Sequence, residues 1–487
     1  MKKSCFFAVL GWILAAFCSC SEKYGEGPVN FSVWYDYDGD RLPDFDTLGQ
    51  PDATGAMLEF DIESVPEFAT DRYAALVTSE LTVDKEGEFR FYMYADDGAR
   101  LCVDGECVCE INAAVWPREL VTVRLTAGRH SIRVEHFDRS GKERLRMSIG
   151  RTGELVHTYG SNDAPAKDIP DYVMDEAAVS YERFEAWKGD DEVVVFPILT
   201  DIHSHERYSY QHIGYAVKTD ELFHYDFMVC LGDIGLNVGP SNVSRQYVED
   251  VIAFTRAEMD RYKGVFLYAA GNHDWDDGQG GVHTDQFLSD TFQKPALEYA
   301  DGNLHLVPGK VYCYYDVPQK NVRVVLLNSE GSRTQAPAYY LFDDEQMEWF
   351  KDLLDNTSPD TAVIVMSHYM PHPIGRWHNT PEAVTLASNE RLMSVLSDYG
   401  TRRSIVGLFC GDSHVNTIVT EGGINYYITQ GLGGVAVRDM MDGTTHEFFD
   451  YRGQTCCDVI AVKPALRQVR SFRIGAGGAA YDCDFVY

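Results

Sequence analysis

The sequence predicts two folded parts, an all-β sandwich domain over residues 28–150 and an α/β domain over residues 191–487. In the first part, alternating stretches such as EFRFYMYA and HSIRVEHFD are separated by glycine turns about every eight to twelve residues, which is the pattern of a sandwich or barrel. In the second part, apolar runs rich in β-branched residues alternate with amphipathic stretches of helical period. That alternation is typical of mixed sheets flanked by helices.

Between the two parts, residues 151–190 lose the alternating pattern and contain prolines and acidic clusters. These features predict a linker, with one short helix, that can pack on a neighbouring domain. Beyond the linker, amphipathic helices are predicted at 244–262, 343–356 and 388–400.

The first twenty residues are predicted to be a lipoprotein-type signal peptide. Two lysines precede an apolar run over residues 5–17 that is too short for an ordinary transmembrane helix. Cys20 is the predicted lipidated residue and Cys18 is the alternative, and a plain secretory signal is the other interpretation. We therefore expect an exported protein of the bacterial periplasm or cell surface, held in the outer membrane only through lipid on Cys20. Export permits disulfides, and the cysteines that flank a predicted hairpin, with their pairing left open, are Cys102, Cys107 and Cys109.

Charge limits the classes of partner. The chain has 487 residues, 45% of them hydrophobic, and its formal net charge is −33. Nucleic-acid-binding proteins carry a basic surface, so we expect no nucleic-acid partner, and a nuclease fits the chain poorly. A phosphate ester is still compatible with this charge if bound cations supply a local positive field.

Five short segments carry candidate metal ligands, and each follows an apolar, strand-like run. They are Asp201-Ile202-His203, Gly232-Asp233, Gly271-Asn272-His273-Asp274, Ser367-His368 and Gly411-Asp412-Ser413-His414. Because ligands bind at the carboxyl ends of strands in open α/β sheets, we expect the five segments to meet at one edge. Imidazoles combined with carboxylate and amide oxygens suit manganese, iron or zinc better than calcium or magnesium. Two such ions, about 4 Å apart, can bridge a hydroxide and clamp a phosphoryl group.

The order and context of these segments over residues 191–480 resemble the calcineurin-like metallophosphoesterase superfamily. The resemblance implies an α/β metallophosphoesterase sandwich that hydrolyses a phosphate mono- or diester by a metal-bridging hydroxide. It implies two divalent transition-metal ions, manganese, iron or zinc. By the resemblance, the ligands of one ion are Asp201, His203, Asp233 and His414, and those of the other are Asp233, Asn272, His368 and Asp412. His273 is then the catalytic residue that faces the substrate, and Asp274 orients it.

One departure from the family's pattern bears directly on the metal ligands, and a milder one places Leu236 where an acidic residue is usual. The last family motif is usually Gly-His-x-His, whereas this chain has Asp412 in place of the first histidine. A carboxylate can still ligate a metal, but it adds negative charge and has a shorter reach, so it either alters the metal preference or weakens the second metal position. The alternative function is therefore a surface glycan-binding protein with a weak or inactive phosphoesterase-like domain.

Residues 31–149 resemble the protective-antigen-type β-sandwich family, which is often appended to bacterial surface enzymes. The segments that carry the resemblance include Trp34-Tyr35, Asp96-Asp97-Gly98-Ala99-Arg100-Leu101, Val103-Asp104-Gly105 and Gly128-Arg129-His130. The resemblance implies carbohydrate binding in some members and a scaffold in others, so a glycan is the second expected partner. Adjacent carboxylates at Asp96 and Asp97 suit Ca²⁺, and they equally suit a turn in which one Asp caps the backbone.

Overall fold

The structure is a computed structural model of the whole chain. It describes residues 25–57, 59–62, 65–112, 118–140, 144–152, 157–159, 169, 171–204, 210–235, 245–275, 282–330, 342–372, 387–402, 404–431, 437–439, 445–446, 456–475 and 478–487. The predicted signal peptide lies outside these ranges. The chain divides into two compact units, one up to residue 161 and one over residues 162–487, with the short segment Trp116–Leu120 counted in the second.

The described part of the first unit is built from β-strands. They are β1 (Gly25–Glu26), β2 (Val29–Tyr35), β3 (Ala53–Met57), β4 (Tyr73–Val83), β5 (Gly87–Asp96), β6 (Gly98–Val103), β7 (Glu106–Asn112), β8 (Arg118–Leu125), β9 (Gly128–Asp138), β10 (Arg144–Arg151) and β11 (His157–Thr158).

These strands form two sheets around one apolar core. One sheet has the order β3-β2-β4-β9-β6-β7, with β1 paired to β4, and the other has the order β11-β10-β5-β8. Every second residue of β5 enters the core, namely Phe89, Phe91, Met93 and Ala95. This period of two is expected where one face of an antiparallel sheet packs on a second sheet. The predicted all-β sandwich is confirmed.

The hairpin between β6 and β7 turns at Asp104 and Gly105, which have φ values of 53° and 82°. Two successive positive φ values are typical of the type I′ turn that matches the twist of paired strands. A disulfide joins Cys102 to Cys107 across this hairpin, and Cys109 takes no part in it.

His136 is a fully buried polar residue of the sandwich. Its Nδ1 lies 3.0 Å from the carbonyl oxygen of Gly98 and its Nε2 lies 3.2 Å from the hydroxyl of Tyr73. Nδ1 therefore donates and Nε2 accepts, so both nitrogens are satisfied in the neutral ring. Burial lowers the pKa of His136 to about 4.

The second unit contains both helices and strands. Its α-helices are α1 (Asp171–Lys188), α2 (Gln211–Lys218), α3 (Asp220–Phe223), α4 (Arg245–Met259), α5 (Asp285–Leu288), α6 (Asp344–Asp355) and α7 (Ala387–Gly400). Its strands are β12 (Val194–Leu199), β13 (Met228–Cys230), β14 (Phe266–Tyr268), β15 (Leu304–Leu306), β16 (Cys313–Val317), β17 (Val322–Leu326), β18 (Ala362–Met366), β19 (Ser404–Cys410), β20 (Val415–Glu421), β21 (Ile424–Ile428), β22 (Val437–Asp439), β23 (Thr445–His446), β24 (Cys456–Lys463), β25 (Gln468–Gly475) and β26 (Asp484–Val486).

Two mixed sheets pack face to face in this unit. Their orders are β14-β13-β12-β24-β25-β26 and β15-β16-β17-β18-β19-β21-β20-β22-β23. One buried cluster draws residues from both sheets, such as Phe196 of β12 and Ile364 of β18. A second cluster joins the other face of the larger sheet to α6 and α7, through residues such as Phe350 and Leu396. The predicted α/β sandwich with mixed sheets and flanking helices is confirmed.

The predicted helices are present at nearly the predicted ends, as α4, α6 and α7. The acidic residue at the start of α6 acts as the expected cap, since the Asp343 carboxylate accepts a hydrogen bond of 2.8 Å from the backbone N–H of Gln346. Among the residues that the structure describes, no helix is both long and apolar enough to span a membrane.

Helix α1 lies within the stretch predicted as a linker and is longer than the short helix expected there. Its buried residues recur at helical spacing and are Val173, Ala177, Ser180 and Phe184. The Ser180 hydroxyl donates to the carbonyl oxygen of Arg473 at 2.6 Å, and the ring of Phe184 meets that of Phe472 edge-on at 5.7 Å. The helix is therefore packed on β25 as a part of the second unit.

Candidate metal centre

The five predicted segments all follow the carboxyl ends of strands. Asp201, Asp233 and Asn272 follow β12, β13 and β14, which are parallel neighbours in the smaller sheet. His368 and Asp412 follow β18 and β19, which are parallel neighbours in the larger sheet. Because the two sheets pack face to face, both sets of side chains meet at one edge of the unit.

An unusual backbone conformation recurs at this edge. Five of the candidate ligands adopt left-handed φ values between 46° and 64°, and they are Asp201, His203, Asp233, Asp412 and His414. Apart from glycine, Asp, Asn and His are the residues that enter this region most readily. Such a conformation persists where surrounding contacts fix the loop.

Hydrogen bonds between the loops supply those contacts. The backbone N–H of Asp201 donates to the carbonyl oxygen of Gly232 at 3.0 Å, and that of His203 donates to the carbonyl oxygen of Asp233 at 3.0 Å. The backbone N–H of Asp412 donates to Oδ2 of Asp201, also at 3.0 Å. The first segment is therefore tied both to the second segment, in the same sheet, and to the fifth, in the other sheet.

One cluster of ligand atoms is formed by Asp201, His203 and His414. The Nε2 atoms of the two histidines lie 3.4 Å apart, and Nε2 of His414 lies 3.2 Å from Oδ1 of Asp201. Burial disfavours the ionised form of Asp201, but the charge and hydrogen bond of His414 and the charge of His368 together outweigh it, so the pKa of the carboxyl lies below its usual value. Two imidazole nitrogens and a buried carboxylate that converge in this way fit one divalent cation.

A second cluster surrounds His368, which is fully buried. Its Nδ1 lies 2.8 Å from the carbonyl oxygen of Leu231, so Nδ1 donates, and in the neutral ring Nε2 would carry the lone pair. Around Nε2 lie Oδ1 of Asn272 at 3.0 Å, Oδ1 of Asp233 at 3.3 Å and Oδ1 of Asp412 at 3.6 Å. A lone pair facing three oxygen acceptors is repulsive unless a proton or a cation lies between them, so this arrangement also fits a divalent cation.

The carboxylate of Asp233 faces both clusters. Its Oδ1 lies 3.3 Å from Nε2 of His368, whereas its Oδ2 lies 4.0 Å from Nε2 of His203. Burial opposes ionisation of Asp233, but the charges of His368, His273 and His203 together outweigh it and hold the pKa of the carboxyl well below its usual range. An ionised carboxylate with one oxygen towards each cluster has the arrangement of a ligand that bridges two ions.

Asp412 occupies the second cluster less closely than the other ligands. It is 3% exposed, and its Oδ2 has no hydrogen-bond partner among the described residues. The compact ligand group on this side is Asp201, Asp233 and His368, without Asp412. Burial raises the pKa of Asp412 to about 8; the charge of His368 opposes this rise, and that of Asp201 reinforces it. Three buried carboxylates at one point therefore repel one another unless cations neutralise them.

His273 lies at the open side of the site. Its side chain is 37% exposed, and its Nε2 lies 3.9 Å from Oδ2 of Asp233. Its backbone N–H donates to Oδ1 of Asp233 at 2.9 Å, and its ring centre lies 5.2 Å from that of His203. This imidazole is therefore fixed beside both clusters while it remains accessible to a substrate, as the predicted catalytic role requires.

Asp274 is fully buried and binds the loops around it. Its carboxylate accepts hydrogen bonds from the Tyr268 hydroxyl at 2.8 Å and from the backbone N–H groups of Gly271 at 2.9 Å and Gly235 at 3.1 Å. Burial raises its pKa to about 6, and the charge of Asp233 contributes to the rise. These bonds tie the third segment to the second, and the orienting role towards His273 stays a prediction.

The sequence prediction missed two polar residues beside the ligands. The Thr200 hydroxyl donates to Oδ2 of Asp201 at 2.8 Å. Glu330 is fully buried beyond the end of β17, and its charge acts on Asp412. Since β17 is the parallel neighbour of β18, the rule that ligands follow strand ends also applies to Glu330.

The turn at Asp96 and Asp97 in the first unit shows a structural role. Oδ2 of Asp97 accepts a hydrogen bond of 2.7 Å from the backbone N–H of Arg139. Among the described residues, candidate metal ligands gather in threes only at the centre in the second unit. The predicted calcium site therefore gains no support here, and the turn interpretation accounts for Asp97.

The buried carboxylates and imidazoles at the shared edge of the two packed sheets form two neighbouring groups that could each hold a metal ion. The family model described as calcineurin-like phosphoesterase matches residues 196–416, and the PA14 domain model matches residues 30–171. The chain is therefore similar to the calcineurin-like phosphoesterases over residues 196–416 and to PA14 domains over residues 30–171. Both resemblances drawn from the sequence are confirmed.

Several solved structures are similar to parts of the chain. A dimetal phosphatase from Danio rerio has 15% sequence identity and a TM-score of 0.44, and the match covers 61% of this chain and 100% of the phosphatase chain. A PA14 sugar-binding domain from an RTX adhesin has 19% identity and a TM-score of 0.24, with 27% of this chain and 94% of that chain covered. The Epithelial Adhesin 9 A domain from Candida glabrata has 10% identity and a TM-score of 0.23, with 28% and 87% covered. No curated protein matches the chain.

Proposed function

We propose that the second unit is an active hydrolase of phosphate mono- or diesters that uses two divalent transition-metal ions. The observation that carries the proposal is the placement of Asp233, whose two oxygens face His368 at 3.3 Å and His203 at 4.0 Å. A buried, ionised carboxylate between two imidazole clusters fits a centre for two cations. When bound, such ions lower the pKa of a water molecule and neutralise charge on a phosphoryl group.

The protein groups then divide by position. One ion would be held by Asp201, His203 and His414, the other by Asn272, His368 and Asp412, and both by Asp233. This donor set of imidazole, carboxylate and amide groups suits manganese, iron or zinc. Hydrogen bonds from Thr200 and from the backbone of Asp412 to Oδ2 of Asp201 orient that carboxylate.

His273 is the residue proposed to contact the substrate. It is accessible, and its backbone bond to Asp233 fixes it 3.9 Å from that carboxylate. From there the imidazole would donate a proton to the leaving oxygen or stabilise charge on the phosphoryl group. A positioned acid of this kind contributes about 10²–10⁴-fold in rate.

The test measures metal content and hydrolysis together. The purified chain, loaded with Mn²⁺, is assayed on p-nitrophenyl phosphate and on bis-p-nitrophenyl phosphate, which distinguish a monoesterase from a diesterase. We expect two equivalents of metal per chain and activity that is lost in Asp233→Asn. Asp360→Asn, which changes an exposed carboxylate outside the centre, is the matched control and should keep full activity. A protein that binds metal and hydrolyses neither ester, or an Asp233→Asn variant with full activity, would overturn the proposal.

We also propose that the protein is exported and lipid-anchored at Cys20, and that the PA14 domain positions the enzyme on a glycan. The proposal rests on the basic and apolar order of the first twenty residues and on the PA14 match. Cys20→Ser should move the protein from the membrane fraction to the soluble fraction of its bacterial host, whereas Cys18→Ser should not. Equal membrane retention of both variants would contradict anchoring at Cys20.

A second candidate function is a surface glycan-binding protein whose phosphoesterase domain is weak or inactive. It is favoured by one observation, the position of Asp412 outside the compact ligand group. Metal-free, inert protein that still binds immobilised glycans through the PA14 domain would support this candidate. Two bound ions with hydrolysis of either ester would contradict it.

A further inference from the structure

The two proposed metal positions differ in the kinds of atom that they offer. The first metal position is surrounded by two imidazole nitrogens, from His203 and His414, and by Oδ1 of Asp201, which lies 3.2 Å from Nε2 of His414. Around the second lie one imidazole nitrogen, from His368, and three oxygens within 3.6 Å of it. The first position is therefore rich in nitrogen and the second is rich in oxygen.

We propose that Asp412 makes the second position selective for a hard, oxygen-preferring divalent cation such as Mn²⁺ over Zn²⁺. This inference rests on the proposed function only in requiring that the second position holds an ion. Imidazole ligands suit zinc, whereas carboxylate, carbonyl and water oxygens suit manganese and magnesium. With Asp412 the second position has a single nitrogen donor, and a histidine there would supply another.

The backbone at Asp412 is held against the first segment. Its backbone N–H is bound to Oδ2 of Asp201 at 3.0 Å. The preceding Gly411 is packed so closely that a Cβ atom on it would lie 1.9 Å from Oγ1 of Thr200. The loop that carries Asp412 is therefore packed directly against the first segment.

The unpartnered oxygen of Asp412 points to the same conclusion. Its Oδ2 is buried and has no hydrogen-bond partner among the residues that the structure describes. An ionised carboxylate in that state is strongly unfavourable unless a cation neutralises it. Asp201, Asp233 and Glu330 place further negative charge near Asp412. The field at the second position is thus more negative than a histidine at position 412 would give, which favours a cation bound largely by electrostatics.

The test is a metal competition that needs no substrate. Metal-stripped full-length protein is equilibrated with equal concentrations of Mn²⁺ and Zn²⁺, desalted, and analysed by elemental mass spectrometry and by the electron paramagnetic resonance of bound Mn²⁺. We expect about one Mn²⁺ and one Zn²⁺ per wild-type chain. In Asp412→His we expect two Zn²⁺ and a loss of Mn²⁺ retention of at least ~10-fold, since even indirect changes to a metal ligand alter affinity by about 10–100-fold.

Two further variants make the outcome interpretable. Asp412→Asn keeps an oxygen donor and removes the charge, so it should lower Mn²⁺ retention without adding Zn²⁺. This variant also tests the inference if Asp412→His does not fold. His203→Asn alters the first position and should leave the Mn²⁺ signal in place. Two Zn²⁺ ions or a single ion in the wild-type chain, or a Mn²⁺ to Zn²⁺ ratio unchanged in Asp412→His and Asp412→Asn, would overturn the inference.

The outcome is separable from that of the proposed function. A wild-type chain that holds one Mn²⁺ and one Zn²⁺ but hydrolyses neither nitrophenyl ester would overturn the hydrolase and leave the metal selectivity intact. A chain that hydrolyses an ester with two Zn²⁺ ions taken from the mixture would overturn the selectivity alone.

Discussion

Replacing Asp458 with asparagine should destabilise the second unit by about 3–5 kcal/mol. Asp458 on β24 and Arg473 on β25 are both fully buried, and they pair through bonds of 2.5 and 3.1 Å. The same carboxylate accepts hydrogen bonds from the hydroxyl of Tyr427 at 2.7 Å and from that of Thr429 at 2.6 Å. Tyr427 lies on β21, a strand of the other sheet, and Thr429 directly follows that strand. Arg473 in turn donates to Asn416 on that other sheet at 2.8 Å.

The magnitude follows from what the substitution leaves behind. An asparagine side chain at this position would keep the shape and an acceptor oxygen for Tyr427 and Thr429, but it would remove the charge that compensates Arg473. A buried charge without its partner costs about 3–5 kcal/mol, whereas loss of one neutral hydrogen bond costs only about 1 kcal/mol. For a unit of this size, the expected fall in melting temperature is roughly 2 °C per kcal/mol, or about 6–10 °C.

The assay is urea unfolding of the full-length chain, followed by the helical circular dichroism signal. All the described α-helices belong to the second unit, so this signal reports on that unit. Asp316→Asn is the matched control, because Asp316 pairs with Arg323 at 2.7 Å in the same unit while it is 37% exposed. The control should lose no more than about 1 kcal/mol. A loss below about 1 kcal/mol in Asp458→Asn, or equal losses in the two variants, would refute the reasoning.

Three further predictions concern the centre and the sandwich. His273→Gln should lower kcat by about 10²–10⁴-fold on the nitrophenyl esters without changing the metal content, and an unchanged kcat would remove His273 from the mechanism. Gly411→Ala should lower both metal content and melting temperature, because its Cβ would lie 1.9 Å from Oγ1 of Thr200 and 2.7 Å from Oδ2 of Asp201; full metal retention would contradict the described packing. Lowering the pH from 6.5 to 4 should destabilise the sandwich by up to roughly 3 kcal/mol, because the unfolded chain takes up a proton at His136 near pH 6.5 and the folded chain only near pH 4. Urea unfolding at stepped pH should therefore show a stability that falls as the pH falls through this range, and a His136→Asn variant that keeps the full slope would show that other groups cause it.

The strands and the candidate ligands were predictable from sequence because of how parallel strands are buried. Strands covered on both faces are continuous apolar runs, and the polar residue that ends each run marks the ligand-bearing edge. Asp201, Asp233 and His368 could therefore be identified without coordinates. Their mutual distances could not, because the pairing of two sheets is fixed by residues far apart in the chain.

Other features of the structure leave little signal in the sequence. The buried face of α1 includes Ala177 and Ser180, whose small side chains leave a weak apolar pattern. Glu330 is recognisable as part of the site only once β17 is known to lie beside β18. The reach of Asp412 towards His368 likewise depends on the loop that carries it, and spacing along the chain does not determine that loop.

The left-handed backbone at the ligand positions restricts which amino acids can occupy them over evolutionary time. At φ values near 50°, the residues that fit with little strain are glycine, asparagine, aspartate and histidine. Three of these four can bind a metal ion. Random substitution that preserves the fold at such a position therefore tends to exchange one ligand for another, as a histidine-to-aspartate change at position 412 would do. The loop conformation thus lets the metal chemistry vary at small conformational cost while the fold persists.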